Sequence, residues 1–87
     1  MERKEKNIYD VALGSILKEY RQQNKMSLQN VADKIGVTKQ MIFHYENGRS
    51  ALTVNQLIKI CNVYGVDYVT VLKQTQIKIN KKAINEG

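Results

Sequence analysis

Ser27-Leu-Gln-Asn-Val-Ala-Asp-Lys-Ile-Gly-Val-Thr-Lys-Gln-Met-Ile-Phe-His-Tyr-Glu-Asn-Gly-Arg49 holds two short helical segments joined at a glycine. Ser27 is a good N-cap for a helix with Leu28, Val31, Ala32 and Ile35 inward, and Gly36 stands at the left-handed position after its end. Thr38 caps a second helix that runs to about Glu46, and Asn47-Gly48 closes it. Two such short helices can cross only if the residue at their closest approach is small, here Ala32, and the turn between them accepts φ > 0, here Gly36. Ile42 then supplies the apolar knob that the second helix buries, with Val31 and Ile35 opposite.

At about 100° per residue the second of these helices splits into two faces. With Lys39 at zero, Phe43, Asn47, Gln40 and His44 fall at about 40°, 80°, 100° and 140°, while Met41, Tyr45 and Ile42 fall at about 200°, 240° and 300°. The apolar face docks on the domain; Lys39, Gln40, Phe43 and His44 face outward. These are groups a DNA major groove can use: Gln pairs with adenine, Lys donates to guanine, His bonds a base edge, and Phe lies on a thymine methyl. An ordinary solvated face is the other reading of the same set.

Outward from this core motif the helical pattern continues. Leu13, Ile16, Leu17 and Tyr20 mark one face of a helix from Asn7 or Ile8 to about Asn24. Thr53-Val-Asn-Gln56 reads as a capping box, followed by a stripe of Val54, Leu57, Ile58 and Cys61 up to Tyr64-Gly65. Asp67 caps a short fifth helix through about Lys73, with Tyr68, Val71 and Leu72 to pack. Residues 7–73 thus form one all-α domain of five short helices. Residues 1–6, with Arg3-Lys4-Glu5-Lys6, form a charged arm that is either solvated or tracks phosphates. Residues 74–87 read as a polar basic tail, frayed or weakly strand-like at Ile77 and Ile79, and available for dimerisation.

The chain has 87 residues, 14 Lys+Arg against 8 Asp+Glu, and a formal charge of +6. One core and one domain are expected at this size, with no deep active-site cleft. The basic balance favours a polyanionic partner. The single cysteine, Cys61, and the single histidine, His44, exclude a disulfide and a zinc site of the usual four ligands. Cys61 is expected to be a buried inert thiol, and Tyr20, Tyr45, Tyr64 and Tyr68 core rings with their hydroxyls at the edge. There is no run of 18 apolar residues, so a cytoplasmic chain with no membrane association is expected. No catalytic constellation stands out, and no cofactor or metal is called for.

The run from Ser27 to Arg49 resembles the helix-turn-helix of lambda-repressor-like (Cro/repressor, XRE-type) DNA-binding domains. The shared features are Ala32 and Gly36 in A-x-x-x-G spacing, the later Ile42, and the Glu46-Asn47-Gly48 ending; the likeness extends over about Leu13 to Leu72. The resemblance implies a motif over residues 28–47, with the first of its helices across the phosphate backbone and the second in the major groove. It implies base reading by Lys39, Gln40, Phe43 and His44, and backbone contacts from Ser27, Thr38, Asn47 and Arg49. It also implies a partly buried ion pair of Arg21 and Glu46 that serves as scaffold. The chain departs from the family at Leu28, where a phosphate-clamping Gln is usual; at Lys25, where Gly is usual and Asn24 is expected to take the left-handed turn; and at Leu52, where Pro is common. The implied function is a transcriptional regulator, a repressor, acting as a homodimer on a pseudo-palindromic operator through Tyr68, Leu72, Ile77 and Ile79. The alternatives are an adaptor module that docks another protein and, far behind, an enzyme; a regulatory protein partner suits a chain with no effector domain.

Overall fold

Five helices follow one another through the computed structural model, which describes residues 6–86: α1 (Ile8–Gln23), α2 (Leu28–Ile35), α3 (Lys39–Glu46), α4 (Val54–Tyr64) and α5 (Tyr68–Glu86). No strand occurs among the described residues. The charged start Arg3-Lys4-Glu5 lies outside them.

Side-chain caps fix the starts of α1 to α4. Asn7 accepts from the Tyr9 and Asp10 amides, Ser27 from Asn30, Thr38 from Met41, and Thr53 from Gln56. The complete capping box stands at α2, where Asn30 returns a bond from the Ser27 amide at 3.1 Å. At α4 the expected box is one-sided, because the Gln56 side-chain oxygen is buried without a partner. The turn after α1 also differs from expectation. Lys25, at φ +56°, holds the left-handed position, not Asn24 at φ −84°. The Lys25 amide bonds Gln22 O and the Met26 amide bonds Arg21 O, a Schellman turn that counts one residue further than composition suggests, while Asn24 caps Tyr20 O with its side chain.

The core draws on every helix: Ile16 and Leu17 from α1, Val31, Ala32 and Ile35 from α2, Ile42 and Tyr45 from α3, Leu57, Ile60, Cys61 and Tyr64 from α4, and Val71 from α5. Tyr20 and Tyr64 stack at 6.4 Å between centroids, and Tyr20, Tyr68 and Leu52 are half-buried against this cluster. On α4 the buried stripe begins at Leu57; Val54, in the first turn, is 64% exposed and does not join it. Burial pushes the Cys61 thiol up to about 11, with Asp67 adding to the effect.

The largest departure is at the end of the chain. α5 does not stop near Lys73 but continues to Glu86, so residues 74–82 are helix rather than a polar tail. Val71 and Thr75 are fully buried, Ile79 is half-buried, and this i, i+4, i+8 stripe crosses the expected boundary. Thr75 tolerates burial because its hydroxyl donates to Val71 O at 2.8 Å. Polar pins then tie α5 along α1: Tyr20 to Gln74 at 2.9 Å, Lys78 to Ser15 at 2.8 Å with Glu19 at 3.6 Å, and Tyr9 to Gln76.

Candidate nucleic-acid interface

α3 is held from behind by α1, and Gly14 makes that possible. A Cβ there would overlap the Tyr45 carbonyl oxygen and lie 2.7 Å from that of Glu46, so only glycine lets α1 cross the C-terminal turn of α3 this closely. A glycine inside an amphipathic helix costs about 1 kcal/mol against alanine, and that cost is the one signal of the contact that the sequence carries. Gly48 serves the same end. It adopts φ +70°, and a Cβ would fall 2.7 Å from the Val11 side chain and 2.9 Å from its backbone.

The ion pair expected from the family is present. Arg21 Nε donates to Glu46 Oε2 at 2.7 Å, Nη2 to Oε1 at 3.0 Å, and Nη1 to Met26 O at 2.9 Å. The hydrogen bond to Glu46 raises the Arg21 pKa above its usual value against the opposing effect of burial. This fork ties α1 and the turn before α2 to the last residue of α3, and so fixes how α3 stands on the domain.

On the opposite face, Lys39, Gln40 and Phe43 are exposed and His44 is half-buried at the edge, while Ile42 and Tyr45 are buried beneath. The two-faced helix read from the sequence is therefore the one found. The His44 Nδ1 is buried without a partner, and the imidazole meets the Phe43 ring edge-on at 5.9 Å. Ser27 and Thr38 are exposed caps whose oxygens accept backbone amides, which leaves each O–H proton free to donate outward. Asn47 is half-buried and spends one side-chain N–H on Phe43 O at 2.8 Å. Arg49 is exposed, with its guanidinium 5.8 Å from the Phe43 centroid, a contact between helix and following loop that helical periodicity does not reveal. Leu28 packs against the core, so α2 offers no polar clamp at that position.

Among the described residues no group of three or more His, Cys, Asp or Glu could hold a metal, and no helix is long and apolar enough to cross a membrane.

An amphipathic α2, with Val31, Ala32 and Ile35 in the core, crossing a two-faced α3 through a tight glycine turn defines a helix-turn-helix domain. A family model described as Helix-turn-helix matches residues 17–70, and the chain belongs to that family, the lambda-repressor-like, XRE-type proteins. An HTH-type transcriptional regulatory protein of Saccharolobus solfataricus is 31% identical over 72 residues, covering 83% of this chain and 23% of that protein. The uncharacterized HTH-type transcriptional regulator YqaE of Bacillus subtilis is 39% identical over 57 residues, covering 66% of this chain and 49% of that one. The chain thus spans about a quarter of the length of the first of these relatives and about half of the second. Among solved structures, the clp gene regulator ClgR from Corynebacterium glutamicum shares the fold at TM-score 0.86 and 22% identity, over 94% of this chain and 87% of that one. Hydroxypropylphosphonic acid epoxidase from S. wedmorenis matches at TM-score 0.66 and 30% identity, over 71% of this chain but only 33% of that enzyme.

Proposed function

We propose that the chain is a sequence-specific double-stranded DNA-binding transcriptional regulator that reads the major groove with α3. The observation that carries this is the exposed face of Lys39, Gln40 and Phe43, edged by His44, on a helix whose other side is locked into the core. Lys39, Gln40 and His44 meet base edges, with Phe43 beside them; Ser27, Thr38, Asn47 and Arg49 contact the phosphate backbone and set the register. The similar proteins of Saccharolobus solfataricus and Bacillus subtilis are both named as transcriptional regulators, which supports this reading.

One recognition helix reads only a few base pairs, so the regulator acts as a homodimer on a pseudo-palindrome with half-sites about one helical turn apart. Of the four residues expected at the interface, Tyr68 and Ile79 are partly covered within the domain, which leaves Leu72, 42% exposed, and Ile77, 53% exposed, for a second copy to engage. Occupancy of an operator is enough to block transcription, which favours repression, and a cytoplasmic location follows from that role.

Selection of bound sites from random duplexes tests this reading. An enriched pseudo-palindrome is expected, and Gln40→Ala relaxes the preference at one base position while weakening binding by about 1–3 kcal/mol. If Gln40→Ala discriminates as the parent does, α3 is not the reading element. If no duplex is enriched at all, the helix-turn-helix is a protein-docking module.

A further inference from the structure

Phe43 is the odd member of the outward face, a large ring 43% exposed among polar neighbours. It is not free. The Arg49 guanidinium lies 5.8 Å from its centroid, and the His44 ring meets it edge-on at an interplanar angle of 62°. Arg49 is also held at its main chain. Its amide bonds His44 O at 2.9 Å, directly after the left-handed Gly48 that the turn presses against Val11. Both ends of Arg49 therefore meet α3: the backbone is held by the terminal turn, and the guanidinium lies within cation–π reach of the ring.

We infer that Phe43 is a positioning residue for Arg49, holding its guanidinium at the recognition face so that one docking event delivers the cation to phosphate and Lys39, Gln40 and His44 to the bases. This rests on the DNA-binding reading above. A guanidinium stacked on an aromatic face keeps its edge N–H groups free for bidentate bonds to a phosphate. An unrestrained arginine loses rotamer freedom when it is ordered on DNA, and a side chain already parked on a ring loses less. Leucine could still touch a thymine methyl but could not attract the cation.

The test measures binding of the full chain to its selected duplex and to a random duplex by fluorescence anisotropy, for the parent, Phe43→Leu, Phe43→Tyr, Arg49→Ala and the Phe43→Leu/Arg49→Ala pair. Thermal melts check that all variants remain folded. Phe43→Leu is expected to weaken both duplexes alike, by about two- to fivefold for each copy bound, the range of an exposed cation–π contact. Phe43→Tyr should bind as the parent does, and Phe43→Leu should cost nothing more once Arg49 is alanine. In the free protein the Arg49 δ-proton resonances should lie upfield in the ring current and return downfield in Phe43→Leu. The inference is overturned if those resonances are unshifted, if the two substitutions multiply in full, or if Phe43→Leu weakens the selected duplex only, which would make the ring a base contact. A parent that binds neither duplex removes the DNA-binding reading and this role with it, whereas binding with uncoupled residues removes this role alone.

Discussion

Replacing Glu46 by glutamine keeps its shape and removes its charge. The Glu46 side chain is 4% exposed and its carboxylate receives two hydrogen bonds from one guanidinium, at 2.7 and 3.0 Å. In Glu46→Gln, one acceptor oxygen becomes an NH₂ group that points its own donors at the donors of Arg21. Breaking a buried pair from one side costs about 3–5 kcal/mol, because the remaining charge is stranded. Here the Arg21 side chain keeps 13% exposure and its bond to Met26 O, which lowers the expected loss to about 2–3 kcal/mol. In a domain of this size 1 kcal/mol moves Tm by about 4–8 °C, so a fall of about 10–20 °C is expected by circular dichroism. The double variant Arg21→Met/Glu46→Leu strands no charge and should recover most of that loss. A Tm within about 3 °C of the parent for Glu46→Gln, or a double variant no better than the single, would refute the account of how α3 is anchored.

Gly14→Ala gains helix propensity of about 1 kcal/mol but drives a methyl into the backbone of α3, and a net loss of about 1–3 kcal/mol in urea unfolding is expected; a stabilised variant would show that α1 and α3 do not meet there. Stability should also fall at alkaline pH. The buried Cys61 thiol titrates near 11, whereas the unfolded chain ionises it near 9, so below pH 9 its full contribution is present and from about 9 to 11 it is progressively lost, by up to about 2–3 kcal/mol. Burial pushes Tyr64 in the same direction. Cys61→Ala should show a shallower decline over that window, and parallel curves would contradict the thiol's part. Ending the chain at Lys73 removes Thr75, Ile79 and the pins from Gln74 and Lys78, and should cost at least about 2 kcal/mol. A frayed tail would cost less than about 0.5 kcal/mol, which the same unfolding curve distinguishes.

The helix-turn-helix was legible because its signals are local. Ser27, Thr38 and Gly36 mark the ends of α2 and α3 within the residues they bound, and the outward face of α3 follows from its period alone. What sequence reading missed is carried by contacts between distant residues. Thr75 counts as polar in any hydropathy pattern, yet its hydroxyl closes on Val71 O and lets α5 run on beneath α1. The bonds from Tyr20 to Gln74 and from Lys78 to Ser15 join residues more than fifty positions apart, beyond the reach of periodicity. Lys25 rather than Asn24 turns left-handed because the Schellman bonds fix the count, and propensity yields to them. Arg21 and Glu46 were assigned through family resemblance, since no local rule pairs residues 21 and 46. The contact of Arg49 on Phe43 had no such guide.

Salt dependence of binding distinguishes a domain that docks its α3 face on duplex DNA from one that does not. Affinity for a selected duplex should fall linearly in a plot of log affinity against log salt, because each neutralised phosphate contributes a slope of about −0.9. With Arg49 from each of two copies the slope should be at least as steep as about −2, and Arg49→Ala should flatten it by about 1 for each copy. An affinity that barely changes with salt, or a slope untouched by Arg49→Ala, would contradict docking through that face.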